Sequence, residues 1–273
     1  MNPRPFRRNP DTRMRVCAVS YLNTVPLVWG FLHGPWQDFF DLSFSVPSVC
    51  ADRLEARSAE IGIVPCAELD RLGLDYFPDV GIACRGAVRS ILLITKVSPS
   101  RIRTLAVDIS SRSSVLLARI ILSERYGATP ALIAMAPDLA SMLQTADAAL
   151  IIGDPALRLD PATLPYHTLD LGAEWDLLTG LPMVFAVWAG APSCITAQAR
   201  DAFRGSCQYG LERLEEIVSN PEACRGFSHH VAREYLTRYI KFNLGPEELS
   251  GLEVYRRYAS SFRIRDAELV SAS

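Results

Sequence analysis

The sequence predicts an α/β protein of two lobes arranged as a clamp, and three observations carry that prediction. Short apolar runs alternate with helical periodicities in β-α-β order, which reads as mostly parallel sheets with helices on their faces. The alternation comes in two sets, one on each side of the apolar run SILLITKV. After about residue 193 the pattern is almost wholly helical, with Arg, Glu and aromatic residues interleaved, and these helices are expected to pack on the first lobe. The chain would then cross between lobes twice, near 93–97 (LLITK) and near 184–190 (VFAVWA). Two apolar strand crossings are hinge geometry, with a ligand in the cleft between the lobes. The expected division is a disordered extension over 1–13, a first lobe of 14–94 with 188–273, and a second lobe of 95–187.

Each element has a local reason. RVCAV is a strand, followed by a helix over about 24–33 with Val25, Val28, Trp29 and Leu32 at helical spacing. Thr24 is placed to cap that helix and Pro26 fits its first turn. DLSFSV leads to a helix over SVCADRLEAR, and EIGIVP to a short helix over CAELDRL. DVGIAC and SILLITKV complete the first set. In the second set, TLAVD precedes the amphipathic helix SSVLLARIILSERYG, which Gly127 is placed to stop. ALIAMA, DLASMLQTA and AALIIGD follow as strand, helix and strand, and YHTLDLG and MVFAVWAG are two more strands.

Bulk composition narrows the function. With 273 residues, 49% hydrophobic, the chain can bury two cores. A net charge of -2 and a pI near 6.1 offer no field of one sign, so neither nucleic acid nor an anionic membrane is the expected partner; a small molecule is. The seven cysteines include no C-x-x-C pair and several lie inside apolar runs, which reads as buried free thiols in a reducing cytosol rather than a zinc site. The basic, Pro-rich start contains Arg7-Arg8, but no apolar segment and cleavage site follow as an export signal requires, so a cytoplasmic location is expected. No window approaches the length of a transmembrane helix.

In open α/β sheets ligands bind beyond the carboxyl ends of strands, so the residues that follow each strand are the candidates. After the first strand comes SYLNT, where Asn23 satisfies its own backbone as an Asx-turn or faces a ligand. After TLAVD comes ISSRSS. There Ser110, Ser111, Ser113 and Ser114 gather at a helix start, either as an N-cap with spare serines or as a cradle for a carboxylate or phosphate. After AALII comes GDPAL, where Asp154 either caps a helix begun by Pro155 or touches a ligand. His33 and His167 stand alone, and the adjacent His229 and His230 diverge on a helix, so no metal set is expected. No nucleophile elbow, Walker loop or dinucleotide fingerprint is present. From these residues alone, a solute-binding protein and an enzyme built on the same clamp both remain open.

Several segments, taken in order, carry a more specific resemblance: VSYLNTVPL, EIGIVPCAEL, GAVRSILL, VDISSRSSVLLARIIL, AALIIGDPAL and WDLLTGLPMVFAVWA. Over about residues 15 to 260 the chain resembles the chorismate dehydratases of the futalosine route to menaquinone. The dihydroxynaphthoate synthases of the same route share the clamp but typically begin with an SPCPND-like strand end, and SYLN argues against them. The resemblance implies the type 2 periplasmic-binding-protein fold. It also implies loss of water from chorismate to give 3-[(1-carboxyvinyl)oxy]benzoate, without metal or organic cofactor. It implies catalytic roles for Asn23 and Ser90. It places Tyr21, Ser48, Pro65, Cys66, Ser111, Ser113, Ser114, Gly153, Asp154, Thr179 and Gly180 along the substrate, the serines of SSRSS on a carboxylate. Two departures stand out: Cys66 occupies a usual Ser position, and Ser113 a usual Thr. A thiol donates hydrogen bonds more weakly than a hydroxyl.

Overall fold

Runs of four or five apolar residues become strands here because both of their faces are covered. β3 (Ile61–Pro65), β5 (Ile91–Thr95) and β8 (Ala148–Ile152) are buried along their whole length. The computed structural model describes residues 13–108, 110 and 112–271. In chain order, β1 (Arg15–Val19), α1 (Val25–His33), β2 (Asp41–Ser45), α2 (Pro47–Glu55), β3, α3 (Glu68–Leu72) and β4 (Asp75–Cys84) come first. Then follow β5, β6 (Thr104–Val107), α4 (Arg112–Tyr126), β7 (Ala131–Ala134), α5 (Leu139–Thr145), β8, α6 (Gly153–Leu157), β9 (His167–Asp170), α7 (Leu171–Thr179) and β10 (Met183–Gly190). The remainder comprises α8 (Ala197–Glu212), α9 (Leu214–Ser219), α10 (His229–Glu234), a π-helical turn over Tyr235–Tyr239, β11 (Lys241–Asn243) and α11 (Pro246–Ser271). β11 is a strand that the helical reading of this region lacked.

Two sheets result. The first has the order β11-β4-β10-β3-β1-β2, with β1 parallel to β2 and β3, and β10 antiparallel to β3. The second has the order β7-β6-β8-β5-β9, with β6 parallel to β7 and β8, and β5 antiparallel to both β8 and β9.

The chain divides into two compact units, residues 1–82 with 186–245 and residues 83–185 with 246–273. This corrects the expected division in two places. The expected crossing near 93–97 falls in β5, yet that strand pairs along both edges, with β8 and β9, and is therefore interior to the second sheet; the chain changes unit earlier, within β4. The helical C-terminal region is also shared out. α8, α9 and α10 belong to the first unit, whereas α11 belongs to the second, where the Tyr255 hydroxyl donates to the Ser113 carbonyl at 3.0 Å and Trp175 meets Tyr255 and Tyr258 edge-on. Of the expected disordered extension, residues 1–12 lie outside the described residues, and Arg13 pairs with Asp38 at 2.9 Å.

In the first unit α1 and α8 touch backbone to backbone. A Cβ on Gly30 would stand 2.5 Å from the Cα of Ser206, and one on Gly210 would collide with the Pro26 carbonyl. Ser206 uses the contact: its hydroxyl donates to the Leu27 carbonyl at 2.8 Å and accepts from the Phe31 N–H at 3.2 Å. Phe203 fills the space beneath, against Phe31, Phe40, Phe77 and Trp188.

Candidate functional site

In the first unit the parallel register of β1, β2 and β3 brings their carboxyl ends side by side, and the Ser20 N–H donates to the Ser45 carbonyl at 2.8 Å. Tyr21 and Asn23 follow β1, Ser48 is the second residue of the helix after β2, and Pro65 closes β3 with Cys66 next in line. These five expected site residues therefore share one end of one sheet, where ligands bind in such folds. Pro47 starts α2, which puts Ser48 in its first turn, and Pro26 is the second residue of α1. Cys66 is buried. A pocket of about 290 Å³ opens beside the β1 end, lined by Ser20, Tyr21, Thr24, Trp29, His33 and Phe44 among others, and Asn23 is not in its wall.

Between β1 and α1 runs a 3₁₀ turn over Leu22–Thr24 rather than a simple cap. Thr24 precedes α1 as expected, but its hydroxyl caps nothing: its backbone is already helical (φ -87°, ψ -21°) and its N–H donates to the Tyr21 carbonyl at 3.0 Å. The Thr24 Oγ1 atom is buried without a hydrogen-bond partner. Asn23 is nine-tenths buried on the same turn and makes no Asx-turn. Its Nδ2 donates to the Tyr235 hydroxyl at 3.1 Å, and its Oδ1 is a buried acceptor with no partner. Leaving such an acceptor unmet costs about 1–3 kcal/mol. Tyr235 opens the π-helical turn, a geometry found often at functional sites. Sequence reasoning missed Tyr235, since nothing local in EYLTRY marks a partner 212 residues away.

In the second unit Ser90 and Gly153 adjoin, because β5 and β8 pair antiparallel there and the Gly153 N–H donates to the Ser90 carbonyl at 2.7 Å. Gly153 has φ +62°, a conformation that costs glycine least, and this sharp exit turns the chain from β8 into α6. α6 begins at Gly153, so Asp154 and Pro155 are its second and third residues and Asp154 is not the N-cap; that position is Ile152. Ser90 and Asp154 are both buried, with 2% and 8% of their surfaces exposed. Next to Ser90, Arg89 is held at φ +68°, a strained conformation for a residue with a side chain. The Asp170 carboxylate fixes it there by accepting from the Val88 and Arg89 N–H groups at 2.9 and 2.6 Å, while also capping α7. Burial nevertheless raises the Asp170 carboxyl above the usual range.

At the other expected cradle, Ser111 lies outside the described residues. Ser113 and Ser114 are buried in the first turn of α4. Ahead of them Asp108 accepts from the Ser110 N–H at 2.9 Å and from its hydroxyl at 2.8 Å, so these two residues satisfy each other. Thr179 and Gly180 sit elsewhere, at the far end of α7, about 12 Å along the helix from the β9 end. The Thr179 hydroxyl donates to the Trp175 carbonyl and accepts from the Leu181 N–H, and Gly180 has φ +69°, so helix termination accounts for both. Among the described residues no group of three His, Cys, Asp or Glu side chains is placed to hold a metal ion, and no helix is long and apolar enough to cross a membrane.

Comparison with known proteins adds identity to this geometry. A family model described as menaquinone biosynthesis matches residues 14–261. A curated relative, the chorismate dehydratase of Thermus thermophilus, is 31% identical over 206 residues, which cover 68% of this chain and 73% of that one. Among solved structures, a protein from Archaeoglobus fulgidus superimposes with a TM-score of 0.74 at 17% identity, covering 92% of this chain and 98% of that one. The periplasmic aliphatic sulphonate binding protein of Escherichia coli gives 0.61 at 16% identity, with 93% and 92% covered. The fold is thus that of the periplasmic binding proteins.

Proposed function

The chain belongs to the menaquinone-biosynthesis family, and from that premise we propose that it dehydrates chorismate to 3-[(1-carboxyvinyl)oxy]benzoate on the futalosine route, as a hydro-lyase of the cytoplasm. The similarity to a chorismate dehydratase supports the choice of substrate, and the free cysteines support a reducing compartment. The structural observation that carries the reading is Asn23, whose buried carbonyl lacks a partner while its amide NH₂ is anchored on Tyr235.

The reaction removes the C3 hydrogen and the C4 hydroxyl and makes the ring aromatic, which supplies a large driving force. The protein's task is then to hold the ring and orient the C3–H bond. With Nδ2 committed to Tyr235, Asn23 offers the substrate an acceptor, and its Oδ1 takes a hydrogen bond from a ring hydroxyl. An amide is a poor base, so the proton from C3 passes to the substrate's own enolpyruvyl carboxylate, the C3–C4 double bond forms, and the C4 hydroxyl takes that proton from the carboxylic acid and leaves as water, which restores the carboxylate. Ser113 and Ser114, at the start of α4, hold a carboxylate with their hydroxyls and the helix dipole. Ser90 donates to the substrate beside the Gly153 turn.

The test is to incubate the purified full chain with chorismate and follow the aromatic enol ether by chromatography and mass. Formation of that product supports the proposal. Tight binding of chorismate with no product over many hours would overturn it in favour of a binding role like that of the sulphonate-binding neighbour.

A further inference from the structure

Among the cysteines one pair is unlike the rest. Cys17 of β1 and Cys50 of α2 are both fully buried, and their sulfurs stand 3.0 Å apart. A disulfide needs about 2.05 Å, so about 1 Å of approach separates this pair from a bond. The Arg53 guanidinium lies 3.8 Å from the Cys17 sulfur and is steadied by the Ser43 hydroxyl at 2.9 Å. We propose that Cys17 and Cys50 form a peroxide-driven dithiol–disulfide couple that fastens β1 to α2.

The surroundings divide the labour between the two sulfurs. A hydrogen bond from Cys50 and the nearby Arg53 charge lower the Cys17 thiol below its ordinary value, which favours its thiolate over that of Cys50. Cys50 moves the other way, since it donates that hydrogen bond and is desolvated. Elsewhere burial dominates: it pushes Cys207 up to about 12 and Cys84 well above its ordinary value. Cys17 is thus the nucleophile and the adjacent Cys50 the resolving thiol.

The chemistry balances with hydrogen peroxide as the named oxidant. The Cys17 thiolate attacks one peroxide oxygen, the O–O bond breaks, and the departing hydroxide takes up a proton as water. The Cys50 sulfur then attacks the Cys17 sulfenic acid, the S–O bond breaks, and the second hydroxide leaves with the Cys50 proton. Two thiols and one peroxide give one disulfide and two waters. Both sulfurs are buried, so peroxide would have to reach them by local opening of β2, whose Ser43 pairs with Cys17 in register and which is the edge strand of its sheet.

The experiment treats the native full-length protein with hydrogen peroxide, quenches with catalase, alkylates under denaturing conditions and maps the peptides. The half-exposed Cys194 serves as an internal control for oxidant exposure. The expected result is a Cys17–Cys50 cross-linked peptide that dithiothreitol reverses. Cys50→Ser should leave Cys17 as a sulfenic acid trapped by dimedone, and Arg53→Met should slow cross-linking about 10-fold by depleting the thiolate. Full alkylation of Cys17 and Cys50 at a dose that oxidises Cys194 overturns the proposal. So does an unchanged rate in Arg53→Met, or a cross-link to another cysteine. The wild-type map decides even where a variant fails to fold.

Discussion

The junction after β1 and the junction after β6 are assembled from the same parts, a buried parallel strand, a short polar loop and a helix, yet they treat their polar groups in opposite ways. At the first, the 3₁₀ turn satisfies its backbone and leaves the Asn23 carbonyl and the Thr24 hydroxyl buried and unmet. At the second, the Asp108 carboxylate takes both the N–H and the hydroxyl of Ser110. A loop that ties off its own groups stabilises the fold. A loop that leaves an acceptor buried and unmet carries a standing cost, and such costs are kept where a reaction or a ligand recovers them. The proposed function puts chemistry at the first junction and carboxylate binding at the second, and the two loops can be tested separately.

The largest expected effect breaks the first junction. Asn23→Ala and Asn23→Asp should each lower chorismate turnover by about 10²-fold or more with the fold intact by circular dichroism. Near-normal kcat in both variants would remove the chemistry from this loop. Next, Ser113→Ala combined with Ser114→Ala should raise KM by about 10-fold and leave kcat nearly unchanged, because the carboxylate is equally charged in ground and transition states. A kcat loss as large as the KM rise would place the second junction in the chemistry as well.

Tyr235→Phe sharpens the comparison further. It deletes only the oxygen that steadies the Asn23 amide, so kcat should fall about 5-fold while KM holds. A change in KM alone would mean that Tyr235 acts on binding and not through Asn23. The smallest effects differ in sign. Thr24→Val removes an unmet buried hydroxyl and should leave stability unchanged or raise it by up to about 1 kcal/mol in urea unfolding. Ser110→Ala removes a donor from a buried carboxylate and should lower stability by about 1–2 kcal/mol. If both lower it equally, the two loops are not energetically distinct.

Much of the fold can be read from the sequence because its signals are local. Val16 to Val19 and Ile91 to Ile94 are apolar runs that only a covered strand can use. The first boundary between units is not legible in the sequence, because β5 and VFAVWA look alike as apolar strands and only pairing tells an interior strand from one at which the chain changes unit. The unit to which α11 belongs is hidden for a similar reason: an amphipathic face does not name its partner. At the candidate site, the strand-end rule singles out Asn23 and Asp154, and the resemblance adds Tyr21, Pro65, Cys66 and Gly153. It cannot find Tyr235, nor the Asp170 carboxylate that holds the Arg89 backbone, because those contacts join residues 212 and 81 positions apart.

The notched contact between α1 and α8 has a consequence for inheritance. Gly30 and Gly210 leave no room for a methyl group, and Ser206 is bonded into the backbone of the facing helix. The segments at 25–33 and 197–212 are therefore one heritable block, although about 160 residues lie between them. In a chimera with a relative of different spacing, exchanging either segment alone would mismatch the seat of α1 and so displace the turn that bears Asn23. Crossovers that keep both segments from one parent should survive, and those that divide them should not.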